Sequence, residues 1–368
     1  MPLPPRALLC SLLVLGGAAG LRAQAPADAR VILITFDGIR AEDFFGGLDT
    51  IVSAREEDSG IYDLERLRRD YWRDTPEARR RAVMPFFWDS LAPRGMVLGD
   101  PTRGSSMRIT NSHGFSAPGY QEILTGHAQP DVTSNDQRRY PHRTVLEHVR
   151  ATLRLAPERV AAFTSWENFR FYVASQEGAV FVNAGYDSIP AARQTPMMAR
   201  LLGVQPRALA LWEGSRLDAF TGALALEWLR RHDPRVMYLA FNDTDDLAHN
   251  RRYDRVLDAL HALDDFLREL WQTVESLPAY RGRTTIILTT DHGRGHTPRD
   301  WTDHGEDVPG SETIWLAVIG PRTPDRGVVA GVAATQANIA ATLLECLGLP
   351  GAGWSAETAP PVAGACVR

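Results

Sequence analysis

The sequence predicts an α/β fold with a mostly parallel central sheet and helices on both faces. Runs of apolar, β-branched residues recur along the chain, and their continuity indicates strands that are buried on both faces. Segments of helical periodicity lie between them, so that strands and helices alternate. The chain has 368 residues, of which 44% are hydrophobic and 23% charged, which is ordinary for a globular protein with a large core.

Residues 1–23 are predicted to form a secretory signal peptide. One positive charge at Arg6 precedes an apolar run at 7–20, and small residues around Ala23 suit cleavage. The run is shorter than the roughly 20 residues of a transmembrane helix. We therefore expect an exported protein, periplasmic or extracellular, that starts near Gln24 and has no stable membrane insertion.

The elements of the mature chain follow in order. The first strand is predicted at 31–36, where the apolar run ends at Asp37-Gly38. Further apolar runs predict strands at 159–163, 236–241, 284–289 and 313–319. Amphipathic patterns predict helices at 143–153, 217–231, 253–274 and 336–347. Together these elements predict a single α/β catalytic domain at 24–350.

Three segments depart from this alternation. Residues 56–81 are rich in charge and are predicted to form a solvated helical insertion, within an inserted region at about 50–90. Residues 170–216 show no clear period and are interpreted as a cap over the site, within an insertion at about 165–216. Residues 351–368 are rich in Ala, Gly and Pro and are predicted to be a loose tail.

Composition excludes several classes of function. Lysine is absent, so that all 40 Lys and Arg residues are arginine. A Walker-type phosphate loop, a pyridoxal enzyme and a protein kinase each need a lysine and are excluded. The formal net charge of −5, without a basic block, argues against nucleic-acid binding. In an oxidising compartment Cys346 and Cys366 either form a disulfide or remain free thiols.

Acidic residues and histidines follow three predicted strands, where the sites of open α/β sheets form. Asp37 follows the first strand, and Asp291-His292-Gly293 follows the strand at 284–289. Asp245 and His249 follow the strand at 236–241 and would share one face of a helix, as two ligands of one ion do.

Several of these candidates have competitors nearby in the sequence. Asp243 and Asp246 compete with Asp245 for the role of ligand. His304, in a second His-Gly pair, is preferred to His296 as a further imidazole ligand. A helix cap or a turn is the structural explanation for each residue taken alone.

Ser116 is the candidate nucleophile. Pro118 and the run after it are typical of a first helical turn, which puts Ser116 at or just before a helix N-terminus. Free backbone N–H groups there favour a phosphate and an alkoxide. No Gly-x-Ser-x-Gly pattern surrounds Ser116, so a Ser-His-Asp esterase is not supported.

Together these residues resemble the alkaline phosphatase superfamily, and most closely its type I phosphodiesterase/nucleotide pyrophosphatase-like branch. The resemblance covers most of the mature chain, from Asp37 to His304. It rests on four blocks in order: Thr35-Phe36-Asp37-Gly38, Ser116-Ala117-Pro118 with Leu124-Thr125-Gly126, Asp245-x-x-x-His249, and Asp291-His292-Gly293 with His304-Gly305.

The resemblance implies two divalent metal ions and a covalent phosphoserine. One ion would be held by Asp37, Ser116, Asp291 and His292, and the other by Asp245, His249 and His304. Three carboxylates and three imidazoles suit zinc, with manganese as the alternative. Family members also hold a phosphoryl oxygen with an Asn about twenty residues after the nucleophile, and Asn135 is the candidate here.

The implied enzyme is an exported phosphoric ester hydrolase, either a phosphodiesterase or a phosphatase. Its substrate would be a phosphorylated small molecule, glycan or lipid. A sulfatase of the same superfamily is a competing hypothesis, but Tyr120 stands where the sulfatase motif needs an arginine. Two further hypotheses are a phosphotransfer enzyme of the superfamily and a secreted pseudoenzyme that binds phosphorylated ligands.

Overall fold

A computed structural model describes residue 1 and residues 28–54, 59–351, 354–355 and 357–367. Apart from Met1, the predicted signal peptide lies outside the described residues. No helix in the described part of the chain combines the length and the apolar composition that crossing a membrane requires.

The central sheet has eight strands among the described residues, and all but one of them run in the same direction. The strands are β1 (Arg30–Phe36), β2 (Gly95–Leu98), β4 (Val160–Thr164), β5 (Phe181–Ala184), β6 (Val236–Phe241), β7 (Thr284–Thr289), β8 (Leu316–Ile319) and β9 (Gly327–Val328). Two further strands, β3 (Ser106–Arg108) and β10 (Ala333–Thr335), pair with each other in a separate small sheet. From one edge to the other, the order is β5-β4-β6-β1-β7-β8-β2-β9, with β8 antiparallel to both of its neighbours. This architecture confirms the predicted mostly parallel sheet.

Helices cover both faces of the sheet, as predicted. They are α1 (Ala41–Gly46), α2 (Leu64–Tyr71), α3 (Pro76–Val83), α4 (Ser116–Thr125), α5 (Val145–Leu153), α6 (Phe169–Tyr172), α7 (Pro196–Val204), α8 (Asp218–His232), α9 (Asp243–His249), α10 (Tyr253–Ser276) and α11 (Asn338–Cys346). Alternate residues of β1 point to opposite faces: Ile32 and Ile34 pack in the core under α8 and α10, whereas Val31 and Leu33 pack with α4, α5 and α11. Every residue of β1 is buried.

The charge-rich insertion is helical but is held against the domain. It contains α2 and α3, and it buries Leu67 and Tyr71 as well as most of Arg80. Asp258 of α10 accepts hydrogen bonds from Arg66 Nη1 at 2.8 Å and from the Tyr71 hydroxyl at 2.9 Å. One face of the insertion is therefore packed, and the expectation of a solvated segment holds only for its outer face.

Residues 170–216 are more regular than their sequence pattern predicts. They contain β5, which pairs with β4 at the edge of the sheet, and α7. Their last residues reach the carboxyl end of the sheet, where Trp212 and Ser215 line a cavity together with Ser116. The segment thus extends the sheet and also contributes to the rim of the site.

The C-terminal segment is not a loose tail in the structure. A disulfide joins Cys346, the last residue of α11, to Cys366. Val362 and Ala365 are buried in the same core as α11. The prediction of a loose tail rested on the Ala- and Pro-rich composition of this segment. Its few apolar residues are nevertheless packed in the core, where the disulfide holds them.

Candidate metal centre and nucleophile

The strands that carry the polar residues are neighbours in the sheet. The order β6-β1-β7 brings the ends of three strands together. Asp37 follows β1, α9 begins directly after β6 and its neighbour Asn242, and Asp291 follows β7 and Thr290. Because these strands are parallel, their carboxyl ends meet at one edge, and the polar residues that the sequence singles out lie together there.

One group of potential ligands consists of Asp37, Asp291 and His292, all fully buried. His292 Nε2 lies 3.5 Å from Asp37 Oδ1 and 3.4 Å from Asp291 Oδ2. None of these three atoms has a hydrogen-bond partner among the described residues. Three unpartnered polar atoms that face one another in a buried site would be costly, which fits a cation between them.

The other atoms of these three side chains are fixed by hydrogen bonds. Tyr120 donates its hydroxyl hydrogen to Asp37 Oδ2 at 2.7 Å, and the Gly38 N–H donates to Asp291 Oδ1 at 3.0 Å. His292 Nδ1 lies 2.9 Å from the carbonyl oxygen of Gly293. This contact assigns the proton of a neutral imidazole to Nδ1 and leaves Nε2 as a lone-pair donor, as metal-binding histidines need.

The protonation of this group is strongly perturbed. Burial, assisted by the nearby Asp291 charge, raises the pKa of Asp37 to about 8. Burial also raises the pKa of Asp291 to about 7 and lowers the pKa of His292. Each shift disfavours the charged form, because burial has removed the group from water. A bound divalent cation would reverse the shifts of both carboxylates.

The second predicted group, Asp245, His249 and His304, lies next to the first. The cluster that the described residues form there consists of Asp245, His292 and His304, and His249 lies at its side. His249 Nε2 lies 3.3 Å from Asp245 Oδ2 and 3.1 Å from His304 Nε2. His304 Nε2 is 3.9 Å from Asp245 Oδ1, and its Nδ1 lies 3.2 Å from the carbonyl oxygen of Gly114. The rings of His304 and His292 stack with centroids 3.9 Å apart, so the two groups are adjacent.

The spacing of donor atoms in both groups suits a small divalent ion. Ligands about 2.0–2.1 Å from a tetrahedral zinc ion lie about 3.3 Å from one another. In the first group, His292 Nε2 lies 3.4 and 3.5 Å from one oxygen of each carboxylate, and in the second, His249 Nε2 lies 3.1 Å from His304 Nε2 and 3.3 Å from Asp245 Oδ2. Both sets mix carboxylate and imidazole, which is the ligand chemistry of zinc and manganese. The residues present therefore fit the ions that the resemblance implies.

Ser116 is the first residue of α4, and its side chain lies at the same edge of the sheet. The residue is 5% exposed, and every residue of α4 is buried. The helix approaches the first group closely: a Cβ added at Gly119 would lie 2.4 Å from the carbonyl oxygen of Asp291. Glycine at this position therefore lets the helix that carries Ser116 pack directly on Asp291.

Asn135, the candidate for holding a phosphoryl oxygen, lies beside Ser116. Its Oδ1 accepts a hydrogen bond from the Ala117 N–H at 2.9 Å, and both Asn135 and Ser116 line the same cavity. Because Oδ1 is the acceptor in this bond, the amide NH₂ of Asn135 is the end that remains available to a ligand.

The segment before Ser116 is held by a buried carboxylate. Glu122 of α4 accepts hydrogen bonds from the N–H groups of Thr110 and Asn111, both at 2.9 Å, and from the side chain of each residue. The following turn ends at Gly114, whose carbonyl oxygen contacts His304. Glu122 thus connects α4 to the segment that contacts His304.

The competing candidate ligands have different partners. Asp243 accepts hydrogen bonds from the Asp218 N–H at 3.2 and 3.3 Å, at the start of α8. Asp246 accepts one from Asn242 Nδ2 at 2.8 Å and lines the cavity beside Ser116. His296 pairs with Glu42 at 2.7 Å, with its side chain half-exposed. None of these three belongs to either ligand group among the described residues.

Two residues at the site are not identified by the sequence motifs. In the sequence, Tyr120 is only a departure from the sulfatase motif, whereas in the structure its hydroxyl group holds Asp37. Arg294 is buried next to Asp245, with its guanidinium in contact with Asp245 Oδ1. The only sequence feature that marks Arg294 is its position directly after Asp291-His292-Gly293. Asp245, which Arg294 contacts, is remote in the sequence, and the fold brings the two residues together.

Comparisons with known proteins identify a family and a shared fold. A family model described as type I phosphodiesterase / nucleotide pyrophosphatase matches residues 71–341. No curated protein sequence matches the chain. The lipoteichoic acid synthase LtaP from Listeria monocytogenes has a similar structure, with a TM-score of 0.54 and 11% identity over 92% of this chain and 75% of that one. A 2-O GAG sulfatase gives a TM-score of 0.55 and 11% identity over 91% of this chain and 73% of the other.

Proposed function

The chain belongs to the type I phosphodiesterase/nucleotide pyrophosphatase family of the alkaline phosphatase superfamily, and on that premise we propose that it is an exported phosphoric ester hydrolase with two divalent metal ions and Ser116 as nucleophile. One observation carries the proposal. Unpartnered buried atoms of Asp37, Asp291 and His292 face one another at the carboxyl ends of the strands, and α4, which begins at Ser116, packs directly on Asp291. Such atoms need a cation, and a serine beside a cation is activated for attack.

The proposed metal ligands form two sets. Asp37, Asp291 and His292 hold one ion together with the Ser116 hydroxyl. Asp245, His249 and His304 hold the other. Zinc is the proposed metal, and manganese is the alternative. When bound, such ions supply Lewis-acid stabilisation of the negative charge on the attacking and leaving oxygen atoms.

The chain's own residues have separate roles in the proposed reaction. Ser116 attacks phosphorus, its Oγ–P bond forms, and the bond from phosphorus to the leaving oxygen breaks. Water then cleaves the phosphoserine and regenerates the hydroxyl. Asn135 donates its amide hydrogens to a non-transferred phosphoryl oxygen, and the N-terminus of α4 favours the negative charge. Tyr120 orients Asp37 through its hydrogen bond.

A sulfatase is the competing function, since a sulfatase shares the fold. The position of the arginine in the sulfatase motif is held here by Tyr120, whose hydroxyl bonds to Asp37. An arginine there would remove this hydrogen bond and place a second cation against the proposed metal site. Phosphoric esters are therefore favoured over sulfate esters as substrates. Export is proposed from the leader-like composition of residues 1–23, and N-terminal sequencing of protein from the producing cell tests it.

The nucleophile is tested with Ser116→Ala in zinc-loaded protein, using bis(p-nitrophenyl) phosphate and p-nitrophenyl phosphate. Loss of an activated nucleophile commonly lowers kcat by several orders of magnitude, and each ~1.4 kcal/mol is tenfold. Ser116→Thr keeps a hydroxyl and should retain part of the rate. Near wild-type rates for Ser116→Ala on both substrates would make water the nucleophile.

The metal ligands are tested by elemental analysis. Asp291→Ala and His249→Ala should each contain less metal than the wild type. His296→Ala is the matched control. His296 lies in the same loop as Asp291, after β7, but its side chain contacts Glu42 and neither ligand group. Full metal content in both ligand variants would show that the ligands are assigned wrongly.

A further inference from the structure

One surface segment of the chain combines exposed apolar side chains with basic charge. Residues 188–212, called the apolar-basic segment below, contain three arginines and no aspartate or glutamate, although the whole chain has 45 acidic residues. Four large apolar side chains of this segment are exposed to solvent, those of Met197, Val204, Leu209 and Trp212. Leu209 is 90% exposed and Trp212 is 52% exposed, which is unusual for side chains of this size.

The helix of the segment, α7, is packed on one side and open on the other. Met198 is fully buried, and Leu201 packs against the same core. Met197, Arg200 and Val204 are exposed. These three residues are spaced i, i+3 and i+7, so they share one face of the helix. The outer face of α7 therefore presents apolar and basic side chains together.

Two of the three arginines have no carboxylate partner on the protein. Arg193 forms an ion pair with Glu158. Arg200 and Arg207 are exposed, and neither forms an ion pair with a carboxylate among the described residues. The segment thus keeps a positive charge that no ion pair neutralises, on a chain whose formal net charge is −5.

We propose that the apolar-basic segment adsorbs reversibly to an anionic lipid surface. Segments that bind such surfaces combine basic residues with Trp and Leu side chains, which enter the boundary between headgroups and acyl chains. Tryptophan is enriched at this boundary, and arginine adds attraction to anionic lipids. An uncharged apolar partner would explain the exposed apolar side chains but not the absence of acidic residues. Reversible adsorption agrees with the expectation of no stable membrane insertion.

The segment ends beside the proposed active site. Trp212, its last residue, lines the cavity that contains Ser116 and Asn135. Adsorption through this segment would therefore place the cavity next to the lipid surface. The proposal concerns the surface and does not depend on the reaction at Ser116, because binding to vesicles is measured without hydrolysis.

Co-sedimentation with vesicles tests the proposal, using protein purified from the producing cell. One set of vesicles consists of phosphatidylcholine, and the other of a two-to-one mixture of phosphatidylcholine and phosphatidylglycerol. At low salt the protein should bind the mixed vesicles at least about tenfold more tightly, which corresponds to ~1.4 kcal/mol. Higher ionic strength should reduce this difference, because salt screens the attraction between the arginines and the anionic lipids.

Leu209→Asn tests the apolar contribution. It removes the most exposed apolar side chain of the segment and should weaken binding to the mixed vesicles at least about fivefold. Ile51→Asn is the matched control, because Ile51 is a 60% exposed aliphatic residue outside the segment, and it should bind as the wild type does. Both side chains are exposed, so both variants should fold, and equal Tm values verify this.

Replacing Arg200 and Arg207 together by glutamine tests the charge. Binding to the two kinds of vesicle should then agree to within about threefold. The matched control replaces Arg231 and Arg299, which are exposed outside the segment, and should keep the wild-type preference. Residues 1–23 are the same in every variant, so any binding that they contribute cancels in these comparisons.

Several results would overturn the proposal. One is failure of the wild type to bind the mixed vesicles, and another is binding that neither Leu209→Asn nor the double arginine variant weakens. A dimer in light scattering that Leu209→Asn dissociates would show that the segment contacts a second copy of the chain instead. Hydrolysis of bis(p-nitrophenyl) phosphate by protein that does not bind vesicles would refute the lipid surface and leave the proposed function standing.

Discussion

Arg294 connects three segments that carry proposed metal ligands, and replacing it should have two effects of opposite sign. Its side chain is 1% exposed. Nε donates to the carbonyl oxygen of Gly38 at 3.0 Å, Nη1 donates to the carbonyl oxygen of Thr302, and Nη2 contacts Asp245 Oδ1. Burial lowers the pKa of Arg294 to about 10, so the guanidinium is charged at neutral pH.

Arg294→Gln should destabilise the metal-free protein. A glutamine is too short to keep all three contacts, and losing one partner of a buried ion pair costs about 3–5 kcal/mol. Unfolding entropy of about 2.1 cal/mol/K per residue gives roughly 0.75 kcal/mol/K for a chain of this length. The expected fall in Tm is therefore about 4–7 °C for the chelated protein.

The same substitution should strengthen metal binding. It removes a positive charge next to Asp245, so the carboxylate attracts a divalent ion more strongly. Calorimetry of chelated and zinc-loaded protein measures both effects, and the zinc-induced rise in Tm should be larger in the variant. Arg299→Gln is the control, because Arg299 is exposed in the same loop. A chelated Tm within about 1 °C of wild type, or a smaller zinc effect, would refute this account of Arg294.

Three further substitutions test how the site and its surroundings are held. Glu122→Gln puts an amide where a carboxylate accepts hydrogen bonds from Thr110 and Asn111. Thermal unfolding should show that the free energy of unfolding falls by about 2–4 kcal/mol, and activity should also be lower. An unchanged Tm would contradict the role of these hydrogen bonds. Although burial alone would raise it, hydrogen bonds from Arg66 and Tyr71 hold the pKa of Asp258 below its usual value. The ionised form of Asp258 therefore stabilises the fold at pH values above the unfolded pKa of about 3.9. In denaturant titrations, Asp258→Asn should lower the free energy of unfolding by about 1 kcal/mol at pH 7, and by progressively less below about pH 4. Cys366→Ser opens a disulfide with a sequence separation of 20, and a loss of about 3 kcal/mol is expected in calorimetry under oxidising conditions, with no difference from wild type after reduction.

The sequence predicts the centre of the sheet better than its edges. β6 and β7 have the predicted bounds, and β1 begins one residue earlier, because strands buried on both faces are continuous apolar runs. β2, β5 and β9 have between two and four residues each, and they are defined by their pairing with other strands. Such short segments leave no periodic pattern in the sequence, so the sequence does not predict them.

Asp37, Asp291 and His292 could be proposed from the sequence because they follow strands that it predicts well, as do Asp245 and His249 on the helix after β6, whereas Ser116 and His304 are proposed from local motifs. The groups around them could not, since their partners are remote: Tyr120 lies 83 residues from Asp37, and Arg294 lies 256 residues from Gly38. The orientation of Asn135 likewise depends on a contact with the Ala117 N–H that spacing alone does not reveal. A sequence can indicate which residues bind a metal, but the bonds that orient them arise from the packing of separate elements.

The buried carboxylates connect metal binding to the pH dependence of stability. In the metal-free fold the pKa values of Asp37 and Asp291 are raised to about 8 and about 7, well above the unfolded value of about 3.9. The folded state therefore holds more protons than the unfolded state in this range, and the stability of the metal-free protein falls as pH rises toward about 8. A divalent ion at the proposed site would take the place of these protons, because ligands bind a metal in their ionised form. The stabilisation that zinc gives should consequently grow between about pH 6 and pH 8, and calorimetry of chelated and zinc-loaded protein across that range measures it; a zinc effect independent of pH would mean that these carboxylates are not the ligands.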